Sequence, residues 1–215
     1  YYQYLYDIPV EIQSSAFSLA NEGSGFSRFF PDSLQNTGTG KNYGIELTIE
    51  KFFNRHFFFL ITGSIYDSRY VGSDGIERKT DFNGSYATNM LFGYEFNIKE
   101  KNSLQFGGKA TYAGGKLATP IDIDATNSAK ELVYIDSLSN TIQLKDYFRF
   151  DLKVAFRMNT KQVTHEIALD LVNVFGIENI LGYTYAPDPT EPAASPVKEE
   201  YQLGFLPLFY YKIDF

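Results

Sequence analysis

Few side chains in this sequence are of the kinds that perform chemistry. The chain has no cysteine and only two histidines, His56 and His165, so thiolate chemistry is absent and no set of histidines can hold a metal. No serine lies in a G-x-S-x-G arrangement, and His165 falls by its parity on the apolar side of a predicted strand. The sequence therefore predicts no enzyme, no cofactor and no metal site.

The remaining polar candidates lie in long connections between predicted strands, because loops on a rigid scaffold commonly perform recognition. The predicted substrate contacts are Asp122, Asp124, Tyr134, Tyr183 and Tyr185. The Asp122/Asp124 pair has the spacing of calcium ligands, but the residues around it lack the acidic positions and central glycine of an EF-hand loop. For each residue the alternative is that its connection only caps the scaffold.

The composition limits the classes of partner. The 215 residues carry a net charge of −7, so electrostatic binding to nucleic acid phosphates is not expected. No run of about 18 apolar residues is present, which excludes a transmembrane helix. A membrane-spanning strand needs only about 9–11 residues of alternating character. Aromatic residues form 17% of the chain.

The clearest strand pattern covers residues 147–158. Every even position from Phe148 to Met158 is apolar, and nearly every odd position is charged. This alternation is typical of a strand with one apolar and one aqueous face. The same period predicts eight strands and no helix, at about 1–6, 43–50, 57–70, 86–98, 104–112, 147–158, 163–171 and 209–215. In 57–70 both parities are apolar near the start, so its faces are not assigned.

The connections alternate in length. Long connections are predicted at about 7–41, 71–83, 113–145 and 175–204, and the turns between them are short. All short turns fall at the end where the chain finishes. This arrangement is typical of outer-membrane barrels, whose short turns face the periplasm.

A two-residue turn at Asn159-Thr160 would fix the register of one hairpin. Facing residues then have numbers that add to 319. Opposite charges across strands stabilise a sheet by about 0.2–1 kcal/mol per pair. This register predicts two charge pairs on the luminal face, Arg149 with Asp170 and Lys153 with Glu166.

A soluble β-sandwich would also alternate. Its strands, however, average about 5–6 residues, and several predicted here reach ten or more. Aromatic residues also concentrate where strands would cross two membrane interfaces. The sequence therefore favours an all-β, antiparallel transmembrane β-barrel over a sandwich.

Three segments resemble the C-terminal barrel of TonB-dependent outer-membrane receptors, most closely the Bacteroidota type. They are 42–50 (NYGIELTIE), 171–183 with its LVNVF and ILGY runs, and the aromatic end 209–215. The resemblance implies a barrel-assembly signal at Phe209, Tyr211, Ile213 and Phe215. It also implies that these eight strands are the last part of a barrel of about 22 strands, with the plug domain and TonB box absent from this chain.

The resemblance implies energised uptake of a metal chelate, oligosaccharide or peptide across the cell outer membrane of a Gram-negative bacterium. The implied partners are outer-membrane lipid, the remainder of the barrel and plug, and the inner-membrane TonB complex acting through that plug. A surface lipoprotein is left open as a further partner.

A second interpretation is a complete eight-stranded barrel with a structural or adhesion role, since eight strands can close. It predicts that residues 1–6 pair along the C-terminal strand. The receptor interpretation predicts an open sheet edge, or closure by strands outside this chain.

Overall fold

The computed structural model describes residues 1–22, 30–99, 101–191 and 194–215. In chain order the strands are β1 (Tyr2–Glu11), β2 (Leu34–Asn54), β3 (Phe57–Val71), β4 (Glu77–Lys79), β5 (Tyr86–Ile98), β6 (Asn102–Ala113), β7 (Leu117–Ala118), β8 (Ile142–Gln143), β9 (Tyr147–Asn159), β10 (Thr164–Val172), β11 (Ile180–Tyr185), β12 (Val197–Tyr201) and β13 (Leu206–Asp214). One α-helix, α1 (Ile123–Ala129), and two 3₁₀ turns, Leu19–Asn21 and Asp136–Leu138, lie in the connections.

Eight long strands form one antiparallel sheet in the order β1-β2-β3-β5-β6-β9-β10-β13. Each pairs with its neighbours along the chain, which confirms the predicted all-β antiparallel class. β1 and β13 lie at opposite edges of the sheet and do not pair with each other among the described residues. The sheet is therefore open, and the pairing of the first strand with the last that a closed eight-stranded barrel requires is not found.

The first two strands extend further than the sequence predicts. β1 continues to Glu11 and β2 begins at Leu34, so the first long connection spans 12–33 instead of 7–41. Residues 34–40 look like a turn because they are rich in glycine and small polar residues. In the sheet these residues face β1 closely: a Cβ on Gly38 would lie 2.5 Å from a methyl carbon of buried Val10. Glycine is used here for close approach, not for a turn.

The predicted register of the β9–β10 hairpin is wrong. Facing residues add to 323, with Asn159 opposite Thr164 and Phe156 opposite Ile167. The turn is longer than two residues because Thr160 closes it, its N–H and its hydroxyl both donating to the Val163 carbonyl. A shift of four residues is even, so every side chain stays on its predicted face.

The cross-strand register places apolar side chains on one face of the sheet through most of its strands. A single row joins Tyr94, Phe106, Val154, Leu169 and Phe209 across β5, β6, β9, β10 and β13. For β3, which the sequence leaves unassigned, Phe57 faces Tyr94 and therefore lies on this apolar face, whereas Phe58 faces Gly93 on the other. The opposite face is mainly polar.

No second layer covers the apolar face among the described residues. Only five apolar residues of the described part of the chain are buried, and Tyr70, Leu117, Ala155 and Ala168 lie outside the apolar face; the fifth is Val10. The accessible surface of 14117 Å² compares with roughly 10,000 Å² for a compact protein of this mass. The described residues therefore form one main sheet without the packed core between two sheets that a β-sandwich requires.

The prediction that the chain has no helix is wrong for one short segment. α1 begins after Asp122, whose carboxylate accepts the Ala125 N–H at 2.9 Å. An N-capped helix of only seven residues lacks the apolar periodicity that marks longer helices, so the sequence gives little signal for it. Among the described residues, no helix is long and apolar enough to cross a lipid bilayer.

Candidate functional site

The four long connections lie at the same end of the sheet and hold the negative charge of the protein. They span 12–33, 72–85, 114–146 and 173–205. Fifteen acidic and seven basic residues fall in them, a net charge of −8, whereas the strands and short turns hold eleven acidic and twelve basic residues. The net negative charge of the protein is thus concentrated at one end of the sheet.

Buried asparagines hold these connections against the sheet. Asn179 accepts the Phe148 N–H at 2.9 Å and donates to the Phe148 carbonyl at 2.8 Å, which imitates a strand partner. Asn173 donates to the Ile177 carbonyl and accepts the Ile177 N–H, closing its own turn. Sequence reasoning missed these roles. An asparagine next to an apolar strand end is the signal that could have indicated them.

One cavity of about 530 Å³ lies between the connections and receives residues from all four of them. This volume is typical of a small-molecule site. Tyr70, from the polar face of β3, lines it and is only 2% exposed. Asn21 and Asp81 bridge two connections there, because the Asn21 amide donates to Asp81 and accepts the Asp81 N–H, each at 2.9 Å.

The structure brings two of the five predicted substrate residues to this cavity. Tyr134 and Tyr183 both line it, and burial raises the pKa of the Tyr134 hydroxyl. Tyr185 is absent from the lining and pairs with Val197 in the β11–β12 hairpin. Asp122 is the N-cap of α1, and Asp124 is an exposed residue of its first turn.

The cavity also contains polar residues that sequence reasoning missed. Glu11, Glu22, Asp81 and Asp136 supply carboxylates, and Lys116 supplies the one ammonium among its described lining residues. These residues come from all the first three connections and from β1, so their proximity depends on the tertiary structure.

Charged residues on the polar face of β9 and β10 form a different network from the predicted one. Glu166 accepts from Arg157 Nη2 at 2.7 Å and from the Tyr210 hydroxyl at 2.7 Å. Lys153 donates to the same Tyr210 hydroxyl and lies 4.0 Å from Glu166. The predicted Lys153–Glu166 proximity is therefore present, but Arg157 is the residue opposite Glu166.

The predicted Arg149–Asp170 pair does not form. Arg149 donates to Asp151 on its own strand at 2.7 Å. Asp170 lies opposite Lys153, and its Oδ1 accepts no hydrogen bond from the described residues. The physical reason is the four-residue shift in register, which moves Asp170 away from Arg149.

On β2 a lysine lies at each limit of the apolar stretch 43–49. Tyr43, Ile45, Leu47 and Ile49 share the apolar face, and Ile45 is 79% exposed. Lys41 follows above and is paired with Glu77, while Lys51 follows below and lies over the Phe57 ring. The two lysines are ten positions apart, which is about 34 Å along a strand.

Aromatic rings lie near both limits of this face. At the end with the long connections, the ring centroids of Tyr86 and Tyr112 are 5.5 Å apart, and both hydroxyls donate to Asp146. These bonds lower the pKa of the Asp146 carboxyl. At the other end, Tyr94 lies 4.4 Å from Phe96. Tyr86 and Tyr112 thus present apolar ring bodies to the uncovered face, and their hydroxyls reach a polar partner beyond it.

The predicted barrel-assembly residues form the edge of the sheet. Phe209, Tyr211 and Ile213 face Leu169, Ile167 and His165, so they share the apolar face. Tyr211 Oη lies 2.7 Å from His165 Nδ1, with the two rings stacked. Phe215 follows β13 and is fully exposed.

A buried ion pair shapes the second long connection. Arg78 Nη2 lies 2.6 Å from Asp74 Oδ2, and their side chains are 5% and 15% exposed. Hydrogen bonding from Arg78, together with the Ile76 N–H, lowers the pKa of the Asp74 carboxyl despite its partial burial.

Comparisons with protein-family models, with curated proteins and with solved structures give no match to this chain.

Proposed function

We propose that the chain is a wall segment of an outer-membrane nutrient receptor of the TonB-dependent type, with about 22 strands in the complete barrel. The observation that carries the proposal is the uncovered apolar face of an eight-stranded single-layer sheet. Between Lys41 and Lys51 the face runs about 34 Å along β2, which at the strand tilt of about 40° usual in outer-membrane barrels would span their apolar band of about 25 Å, and aromatic rings lie near both limits as in their girdles.

The open sheet supports further strands. β13 and the part of β2 after Gly44 each leave one row of backbone N–H and C=O groups without a strand partner among the described residues. In hydrocarbon each such group costs several kcal/mol. The remainder of the barrel would satisfy these groups, and its plug would occupy the interior and receive energy from the inner-membrane TonB complex.

The acidic end with its cavity supports an outward-facing substrate site. In this proposal the short turns lie in the periplasm, and the long connections lie outside the cell, where a surface lipoprotein would also dock. No reaction step is proposed for the chain. A closed eight-stranded adhesion barrel lacks a comparable observation in its favour, since β1 and β13 lie at opposite edges.

A pair of neighbouring substitutions tests the membrane contact. Leu47 and Thr48 are both exposed and lie on opposite faces of β2, near the middle between Lys41 and Lys51. Leu47→Arg in the complete protein should lower its stability in bilayers by about 2–4 kcal/mol, measured by urea unfolding in lipid vesicles. Thr48→Arg is the matched control and should have a much smaller effect. Equal effects of the two would contradict the proposal.

Transport is tested in cells that produce the complete protein. Fractionation should recover it with the outer membrane, and external protease should cleave within 114–146 or 173–205 and spare the short turns. Uptake of the substrate should stop when a proton uncoupler removes the inner-membrane energy supply. Recovery from another fraction, or cleavage at the short turns of intact cells, would refute the proposed location.

A further inference from the structure

The cavity between the long connections contains buried polar groups with unused hydrogen-bonding capacity. Asn140 lines it and is 8% exposed. Its Nδ2 donates to the Lys79 carbonyl at 2.9 Å, but its Oδ1 accepts no hydrogen bond from the described residues. Ser18, 2% exposed, also lines the cavity and uses its oxygen only to accept the Ala20 N–H. A ligand in the cavity can donate to the Asn140 oxygen, which, unlike Asn83 Oδ1 and Asp170 Oδ1, is not sealed from solvent.

The charges of the cavity are also unbalanced. None of its carboxylates, from Glu11, Glu22, Asp81 and Asp136, forms an ion pair with a described residue. The Glu11 and Asp81 side chains accept hydrogen bonds from uncharged groups, an N–H of Asp32 and the amide of Asn21. The hydrogen-bonding capacity that remains in the cavity is therefore mainly that of acceptors, and the cavity carries a net negative charge.

Three tyrosines complete this lining. Tyr70, Tyr134 and Tyr183 come from three different parts of the chain and share the cavity. A cation over a tyrosine ring is attracted to the negative face of the ring, more strongly where water is excluded. The acceptor oxygens, the carboxylates and the tyrosine rings therefore all favour a ligand that is positively charged and donates hydrogen bonds.

We propose that this cavity binds an organic cation that carries ammonium or guanidinium groups, such as a short basic peptide. The proposal rests on the proposed function, because it names the substrate class of that same outward-facing site. An anionic ligand would meet four carboxylates and one ammonium, that of Lys116. A neutral sugar would satisfy Asn140 but would leave the carboxylates without a counter-charge. The net charge of −8 in the surrounding connections also attracts a cation over a longer range.

Calorimetry on the detergent-purified protein tests the ligand class with three probes: trilysine, triglutamate and maltotriose. Trilysine should bind, and its affinity should fall as salt is raised, because the attraction between exposed charges is screened. Asp136→Asn and Glu22→Gln should each weaken trilysine binding by on the order of tenfold, as expected for a lost hydrogen bond to a charged group. Neither side chain bonds to a described residue, so both variants should keep the unfolding midpoint of the wild type.

Glu131→Gln is the matched control. Glu131 is an exposed carboxylate of the same connection as Asp136, but it does not line the cavity, so its variant should bind trilysine like the wild type. The inference is overturned if triglutamate or maltotriose binds as tightly as trilysine, if no probe binds, or if Asp136→Asn binds trilysine unchanged. The Leu47→Arg and Thr48→Arg pair is independent of these outcomes, so a wrong ligand class and a wrong membrane assignment are distinguishable.

Discussion

Arg157 lies directly opposite Glu166 on the neighbouring strand, and its Nη2 donates to Glu166 Oε2 across 2.7 Å. The Tyr210 hydroxyl bonds the other oxygen of the same carboxylate, so Glu166 joins β9, β10 and β13 on the polar face. This side chain is only 8% exposed. One carboxylate thus links three neighbouring strands of the main sheet, through an ion pair on β9 and a hydroxyl on β13.

Glu166→Ala should therefore destabilise the protein by about 2–3 kcal/mol, since it removes hydrogen bonds to a charged group and leaves Arg157 without its partner. Asp214→Ala, at an ion pair with Lys212 whose side chains are about half exposed, should cost at most about 1 kcal/mol. Unfolding by urea measures both. Equal losses would mean that the Glu166 network contributes no more than a surface pair.

The observed register predicts which introduced cysteines can be joined. Phe156 faces Ile167, and the 319 register would instead place Leu152 there. Because a disulfide requires Cα atoms within about 7 Å, Phe156→Cys with Ile167→Cys should form a bond on mild oxidation. Leu152→Cys with Ile167→Cys should not. The chain contains no cysteine of its own, so mass spectrometry can assign the product without ambiguity. The reverse pattern would refute the register.

Two glycines on neighbouring strands should respond differently to alanine. A Cβ on Gly44 would lie 2.7 Å from the Ile65 carbonyl oxygen, whereas a Cβ on Gly63 would have no neighbour nearer than 3.9 Å. Gly44→Ala should cost about 1–3 kcal/mol through overpacking. Gly63→Ala should be neutral or stabilise by up to about 1 kcal/mol, because alanine reduces the freedom of the unfolded chain. Thermal unfolding of the two variants provides the comparison.

The Asp74–Arg78 pair should make stability depend on acid. The folded pKa of Asp74 is below its ordinary value of 3.8, so the stabilisation is fully present above that value and is lost as the pH falls through the folded pKa. At pH 7, Asp74→Asn should destabilise the 72–85 connection by about 3 kcal/mol, because Arg78 remains buried without its partner. The difference between wild type and variant should shrink at pH 3. Hydrogen exchange of the Ile76 amide reports the difference, and a difference as large at pH 3 as at pH 7 would contradict this account.

Asn179 should contribute more to stability than an exposed asparagine in the long connections. Asn179→Ala removes two hydrogen bonds to the Phe148 backbone and should cost about 1–3 kcal/mol, since Phe148 keeps a peptide group without its partner. Asn127→Ala, on an exposed position of α1, should have little effect. Protease cleavage in 173–205 should become faster only in the first variant, and a similar rate in both would refute the anchoring role.

The sequence by itself determined the eight long strands, the face of most of their side chains and the alternation of short and long connections. These features depend on a period of two and on turn residues, which are local properties. For this reason the faces of β9 and β10 were predicted correctly although their register was not. The faces of β3 could not be assigned because apolar residues occupy both parities near its start. The first residues of β2, 34–40, were not predicted as strand because they are rich in glycine.

The tertiary structure alone decided which residues meet. The register of β9 and β10 depends on how Thr160 closes its turn, and that choice moved Arg149 away from Asp170 and brought Arg157 to Glu166. The cavity joins Asp136 with Glu22, residues far apart in the chain whose connections come together only after the strands have paired. The open edges at β1 and β13 likewise follow from the order of the whole sheet, since pairing between distant segments has no local signal in the sequence.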